Sequence, residues 1–250
     1  MSELAWLGVV RHGQSAGNVA AERAEAAGEE LVDLRISDAD VRLTETGREQ
    51  GAAIGRWMAE LPSRERPQVV FSSPYRRAMQ TAELAVAAAG FGAPPLLMDE
   101  RLRDRELGVL DLLTSRGVTA RRPEEAERKR RLGRFYYRPP GGESWADVAL
   151  RLRTLLGDLR LEYPGQRVLL VAHESVIFLL RYVIERLSQE RLLELVEATT
   201  LANASLCSWR RDDGRLRPSV FNWVGHLTEQ GVPTTQQEQV VAQPGRAPRR

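Results

Sequence analysis

Ala5-Trp6-Leu7-Gly8-Val9-Val10 runs directly into Arg11-His12-Gly13-Gln14-Ser15-Ala16-Gly17-Asn18, and this junction sets the reading of the whole chain. The first stretch is short, apolar and without alternation, as a strand buried on both faces of a helix-covered sheet must be. Its abrupt end places the polar string in the loop beyond the strand's C-terminal edge.

The same junction recurs twice further along. Val69-Val70-Phe71 breaks into SSPYRRAMQTAE (Ser72 to Glu83), where Ser73 before Pro74 reads as a cap followed by a first helical turn. Val168 to Ala172 is apolar and stops at His173. Helical patterns separate these strands. Ser15 to Glu30 is rich in Ala and Glu, and Leu31 to Arg42 reads as a surface loop. Thr44 caps a helix carrying Ala53, Ile54, Trp57, Met58 and Leu61 at helical spacing, and Pro62 ends it. Trp145 to Leu161 and Ser175 to Leu187 are further helices, and Leu96 to Met98 is a weaker strand. This alternation predicts an α/β fold, a three-layer α/β/α domain with a mostly parallel central sheet, whose ligands bind beyond the strands' carboxyl ends. The polar clusters after the strands should converge there.

Outside this frame, about 109–142 reads as an inserted helical cap, strongly basic from Thr114 to Arg138 with RKRRLGR at Arg128 to Arg134. Leu206 to Trp209 and Leu216 to Phe221 pair as a hairpin around Asp212-Asp213-Gly214. The domain is expected over residues 1–228, with a disordered Gln-, Pro- and Thr-rich tail over 229–250.

With 250 residues, 42% hydrophobic and 28% charged, the chain can bury a sizeable core, which excludes disorder along its whole length. It has neither a long apolar run nor the layout of a secretory signal, so no membrane partner is expected. Cys207 is the only cysteine, which fits a cytoplasmic protein without disulfides. The formal charge of +2 gives little ground for nucleic-acid binding. Glu124, Glu125 and Glu127 dilute the basic run, so an RNA partner ranks last. Neither the histidines nor the cysteine show metal-ligand spacing, so no metal or cofactor is expected.

Two of the three histidines, His12 and His173, follow the two best strands, and Arg11 and Arg77 stand at equivalent junctions. Two arginines can hold a phosphate bidentately while a neutral imidazole attacks phosphorus and a second histidine donates to its oxygens. The departing alkoxide needs a proton, and Asp99, Glu100, Asp104 and Glu106 are the candidate acids.

RHGQSAGN (Arg11 to Asn18) resembles the RHG-x-S-x-x-N signature of the histidine phosphatase superfamily, the phosphoglycerate mutase-like proteins. LTETGREQ (Leu43 to Gln50), SSPYRRAMQTAE, PPGGESWADV (Pro139 to Val148) and VLLVAHESV (Val168 to Val176) support it in the family's order, over roughly 5–210. The resemblance implies that His12 is a nucleophile that becomes phosphohistidine. It also implies that Arg11, Arg77 and His173 form the phosphate pocket, lined by Ser15 and Asn18. The family's acid is usually the Glu of L-x-E-x-x-x-G. Here LRDRELG (Leu102 to Gly108) places Asp104 at that position, with Glu106 or Glu100 as the alternatives. Glu174 stands where the family often has Gly, and it either narrows the pocket or faces away.

The region from Arg101 to Ser144 locally resembles the bisphosphatase domain of fructose-2,6-bisphosphatase. That would turn Tyr136, Tyr137 and Arg138 towards the leaving group. The implied activity is metal-independent hydrolysis of a small phosphorylated metabolite, a phosphosugar or phosphoglycerate, with phosphoglycerate mutase as the nearest alternative. A non-catalytic sensor of phosphorylated ligands is the alternative of another class. Trp209, Phe221 and Trp223 could form the edge of a homodimer or finish the core.

Overall fold

A computed structural model of the chain describes residues 3–90, 92 and 94–236. Its strands are β1 (Trp6–Arg11), β2 (Val69–Ser72), β3 (Leu96–Met98), β4 (Arg167–Ala172), β5 (Leu206–Asp212) and β6 (Arg215–Trp223), in the spatial order β3-β2-β4-β1-β5-β6. The pairs β3/β2, β2/β4 and β4/β1 are parallel, whereas β5 and β6 join antiparallel. β1 and β4 occupy the centre, so both faces of each are buried. This is why neither strand alternates in sequence.

Helices cover both faces. α2 (Glu45–Glu60) and α3 (Arg76–Ala89) pack on Val10, Val70, Leu169 and Val171. α6 (Trp145–Glu162) and α7 (Glu174–Glu185) pack on Val9, Phe71, Val168 and Leu170. α2 approaches α3 closely at Gly55, where an added Cβ would lie 2.2 Å from the Ala85 carbonyl oxygen. α1 (Ala16–Ala26) follows β1 directly, while α4 (Ser115–Arg121) and α5 (Pro123–Tyr136) lie in the segment predicted as the cap. α8 (Gln189–Ala198) and the short α9 (Gly225–Thr228) complete the helices among the described residues. None is long and apolar enough to cross a membrane.

Two expectations change, and one open alternative is decided. α3 begins at Arg76 with Tyr75 as its cap, two residues beyond the Ser73-Pro74 prediction. The Ser73 hydroxyl is committed elsewhere, accepting from the Tyr75 N–H at 3.2 Å and meeting His173 Nε2 at 2.8 Å. The chain after Glu229 does not leave the domain at once: the Gln50 amide donates to the Pro233 carbonyl at 2.8 Å, and the Asn203 N–H to the Thr235 carbonyl at 2.8 Å. The rest of the tail prediction, 237–250, lies outside the described residues. Trp209 finishes the core, buried with its indole N–H donating to Glu185 at 3.1 Å, while Phe221 and Trp223 are half-buried.

Candidate active site

The ends of β1, β2 and β4 meet at one place. β1 delivers Arg11 and His12, β4 delivers His173, and the first turn of α3 delivers Arg77. The two imidazole rings stand 5.2 Å apart, centre to centre. The loop after β1 is squeezed against the start of α2, where an added Cβ on Gly13 would lie 2.4 Å from the Gly47 carbonyl oxygen. One on Gly47 would lie 2.0 Å from the Gln14 carbonyl oxygen. Only glycine fits at either position, which links two motifs that are far apart in sequence.

His12 is 3% exposed and its ring is oriented from both sides. Nδ1 lies 2.8 Å from the Gly13 carbonyl oxygen, an acceptor only, so Nδ1 carries the proton and donates. Nε2 therefore keeps its lone pair, and it accepts from Arg77 Nε at 3.3 Å. Burial, then the charge of Arg77, hold the His12 pKa well below the usual histidine value. His173 is fully buried, and burial pushes its pKa down to about 3 although Asp104 opposes the shift. Both rings are neutral at physiological pH.

Arg77 uses its guanidinium in two directions. The end formed by Nη1 and Nη2 is gripped by Asp38, with Nη1 to Oδ1 at 2.9 Å and Nη2 to Oδ2 at 3.0 Å. Nη1 also donates to the Asp38 carbonyl oxygen at 2.7 Å. The side formed by Nε and Nη2 faces His12 Nε2 and Asp104 Oδ2, the latter at 3.2 Å. Arg11 is buried and donates to the Leu201 carbonyl, and its Nη2 lies 3.9 Å from Glu174. Its Nε is buried without a hydrogen-bond partner. An orphaned guanidinium donor beside a second arginine is a seat for an anion.

Asp104 lies at the junction of these groups. Oδ1 accepts from the Ser175 hydroxyl at 2.8 Å and from the Arg105 N–H at 2.8 Å. Oδ2 lies 3.4 Å from His173 Nδ1 as well as beside Arg77. Burial alone would raise its pKa, but His173, Arg77 and the Ser175 hydrogen bond outweigh it and hold the carboxyl below the ordinary value. The other candidate acids are engaged elsewhere. Glu106 is exposed and accepts from the Tyr75 hydroxyl at 2.7 Å, and Asp99 pairs with Arg101 at 2.7 Å. Glu100 is exposed in a short 3-10 turn.

Ser15 and Asn18 form a capping box at the start of α1, each side chain bonded to the other's backbone N–H. The Asn203 amide bridges this box to the site, donating to the His12 carbonyl at 3.2 Å and to Asn18 Oδ1 at 3.3 Å. Glu174 does not face away, since it points at Arg11 and accepts from the Leu201 N–H at 3.3 Å. The expected turn of Tyr136, Tyr137 and Arg138 towards the leaving group is not found. Tyr137 is buried and donates to Glu125 at 2.8 Å, exposed Tyr136 accepts from Gln189 at 2.6 Å, and Arg138 pairs with Asp147. On the cap side Arg105, whose backbone N–H bonds Asp104, lies near Arg134 of α5. These two are close enough that Arg134 adds to burial in lowering the Arg105 pKa.

Asp38, Ser73, Ser175 and Asn203 were missed as site residues. Asp38 lies in a loop without periodicity, and Ser73 before Pro74 reads in sequence as a helix cap. Ser175 is the one with a local signal, two residues after His173 at the start of α7. Among the described residues, no three His, Cys, Asp or Glu side chains are grouped to hold a metal ion.

A model of the histidine phosphatase superfamily (branch 1) matches residues 7–224. The chain belongs to that superfamily. It is 34% identical over 191 residues to 2,3-bisphosphoglycerate-dependent phosphoglycerate mutase 2 of Gloeobacter violaceus, covering 76% of this chain and 80% of the relative. It is 31% identical over 193 residues to the corresponding mutase of Rhizobium meliloti, covering 76% and 84%. Among solved structures it is similar to a mycobacterial glucosyl-3-phosphoglycerate phosphatase in complex with VO3. The TM-score there is 0.67 at 29% identity, covering 87% of this chain and 98% of that one. A putative alpha-ribazole-5'-P phosphatase of Escherichia coli shares the fold, with a TM-score of 0.71 at 18% identity and coverage of 88% and 97%. Histidine phosphatase relatives thus include both phosphatases and mutases, and members of the superfamily are enzymes.

Proposed function

We propose that the chain is a metal-independent phosphatase that hydrolyses a small phosphomonoester through a phosphohistidine on His12. The observation that carries this reading is the His12 ring: Nε2 is unprotonated and faces Arg77, because Nδ1–H is tied to the Gly13 carbonyl. Arg11, Arg77 and His173 bind the phosphoryl oxygens while Nε2 attacks phosphorus in line with the leaving oxygen. Asp104 delivers a proton to that oxygen. It is ionised in the free site, but a docked phosphate replaces Arg77's contact with it and adds negative charge, and both changes raise its pKa. In the second step Asp104 takes a proton from the water that attacks the phosphorus, releasing phosphate and restoring His12.

The leaving group is of the phosphosugar or phosphoglycerate type, with Arg105 and Arg134 on the cap side to receive a further anionic or polar group. A lone buried thiol, Cys207, supports a reducing, cytoplasmic setting. The mutase reading is favoured by the sequence relatives. Against it stands Glu174, whose carboxylate lies beside Arg11 at a position where the family often has Gly.

Phosphoglycerates, sugar mono- and bisphosphates and an aryl phosphate should be incubated with wild type and His12→Ala in chelator, with trapping of an acid-labile phosphoenzyme. Phosphate release and trapping that both need His12 are expected. Equal release by His12→Ala would overturn the mechanism. Interconversion of 2- and 3-phosphoglycerate with little free phosphate would establish the mutase instead.

A further inference from the structure

Arg77 has five N–H groups, and each has an acceptor: His12, Asp104, two Asp38 carboxylate oxygens and the Asp38 carbonyl. The distribution is directional. Asp38 takes the end of the fork with both carboxylate oxygens, and His12 and Asp104 take the side formed by Nε and Nη2. A phosphoryl group approaching His12 Nε2 meets that side, where its oxygens replace the two weaker contacts at 3.3 and 3.2 Å. The Asp38 end need not open.

Resting on the phosphatase reading above, we propose that Asp38 is a positioning residue. It grips the Nη1/Nη2 end of Arg77, so that Nε and Nη2 face His12 Nε2 as a ready-made bidentate phosphate clamp. The Arg77 side chain is only 6% exposed, so once its rotamer is set few alternatives remain. Without the grip, the carboxylate that competes for the guanidinium is Asp104, and a guanidinium drawn onto Asp104 would face the proton donor and not the phosphate. The grip comes from Asp38–Asp40, a 3-10 turn in the loop between α1 and α2, and it therefore also ties that loop to the site. Half-exposed Asp38 meets Arg77 along the loop's inner side. Burial raises the Asp38 pKa, and the charge and hydrogen bonds of Arg77 oppose that rise.

The test is binding of orthovanadate, read by competition against turnover of an aryl phosphate, for wild type, Asp38→Asn, Asp38→Ala and Asp38→Glu. Each is also made on an Arg77→Lys background. Asp38→Asn conserves size on a half-exposed loop and should keep the melting temperature within about 2 °C. Vanadate binding should weaken about tenfold in Asp38→Asn, which is about 1.4 kcal/mol, and further in Asp38→Ala. Asp38→Glu should recover part of the loss. KM should rise more than kcat falls, and on the Arg77→Lys background the Asp38 substitutions should change affinity less than about twofold.

Unchanged or tighter vanadate binding in Asp38→Asn, with wild-type binding still dependent on Arg77, would overturn the positioning role and leave the phosphatase reading standing. Tighter binding would mark Asp38 as a competitor for the phosphate seat. A loss of equal size with Lys at position 77 would overturn it too. Wild-type turnover and vanadate binding that ignore both His12 and Arg77 would overturn the reading on which it rests.

Discussion

The site has two halves built in different ways. His12, Arg11 and His173 come from the ends of central strands, where both faces of the sheet are buried and the backbone has no room to shift. Asp38, Asp104 and Arg105 come from irregular segments held by side-chain hydrogen bonds. In the proposed mechanism the strand-borne half presents the nucleophile and the anion seat, so its precision is inherited from the sheet. The loop-borne half, in the same proposal, orients one arginine and moves a proton, and its precision depends on a few polar contacts. Substitutions should therefore be tolerated unequally on the two sides.

The largest contrast is between His12 and Asp104. His12→Ala should lower turnover by at least about four orders of magnitude, since no neighbouring group can replace Nε2. Asp104→Asn should lower kcat by about two to three orders. Asp104→Glu, on a compliant loop, should stay within about tenfold of wild type. Steady-state kinetics on an aryl phosphate with a poor leaving group checks all three, and Asp104→Glu as damaging as Asp104→Asn would break the contrast. Glu106→Gln should change kcat little, because Glu106 meets Tyr75 and not the phosphate seat.

Next comes the rigidity of the strand-borne half. Gly47→Ala places a methyl group 2.0 Å from the Gln14 carbonyl oxygen, and backbone cannot move aside as a side chain can. Destabilisation of about 3 kcal/mol is expected, read as a lower denaturant midpoint. Gly214→Ala, in the β5–β6 turn with φ of 70° but open space around it, should cost less and leave activity intact. Equal losses would show that the packing of the His12 loop is not special.

The smallest effect, within about half a unit below pH 6.5, is pH dependence of stability. His173 and His226 are buried with pKa values lowered to about 3 and about 4, in both cases chiefly by burial. A histidine lowered on folding contributes fully above its unfolded pKa of about 6.5 and loses that contribution as pH falls towards its folded value. Denaturant midpoints should therefore be flat above about pH 6.5 and fall below it, with a slope of no more than about 1.4 kcal/mol per pH unit for each histidine. His226 packs against Trp57 and Trp223, so His226→Phe, which keeps an aromatic ring there, should flatten part of the fall.

Much of this arrangement was legible in the chain. Uniformly apolar strands broken by His12 and His173 announce central parallel strands, because only burial on both faces removes alternation. The Leu102 to Gly108 string pointed to Asp104, and the structure sets that residue beside Arg77 and His173. Asp38 was not legible. Its partner is 39 residues away, and its loop carries neither hydrophobic period nor capping pattern. Ser73 was misread for a related reason: Ser-Pro is a helix-start signal, yet a histidine 100 residues away claimed the hydroxyl. Tyr136, Tyr137 and Arg138 looked available because a sequence does not show that Glu125, Gln189 and Asp147 already hold them.

By itself the sequence determined the layered α/β architecture, the two histidines at strand ends and the arginines beside them, because local hydrophobic pattern dictates which segments are buried and where they stop. Only the tertiary structure decided the His12 tautomer, the grip of Asp38 on Arg77, the orientation of Glu174 and the packing of residues 230–236 against the domain. These depend on hydrogen bonds between residues far apart along the chain. Such contacts are directional and short-ranged, so they exist only once the sheet has brought the loops together, and they leave no period in the sequence to read.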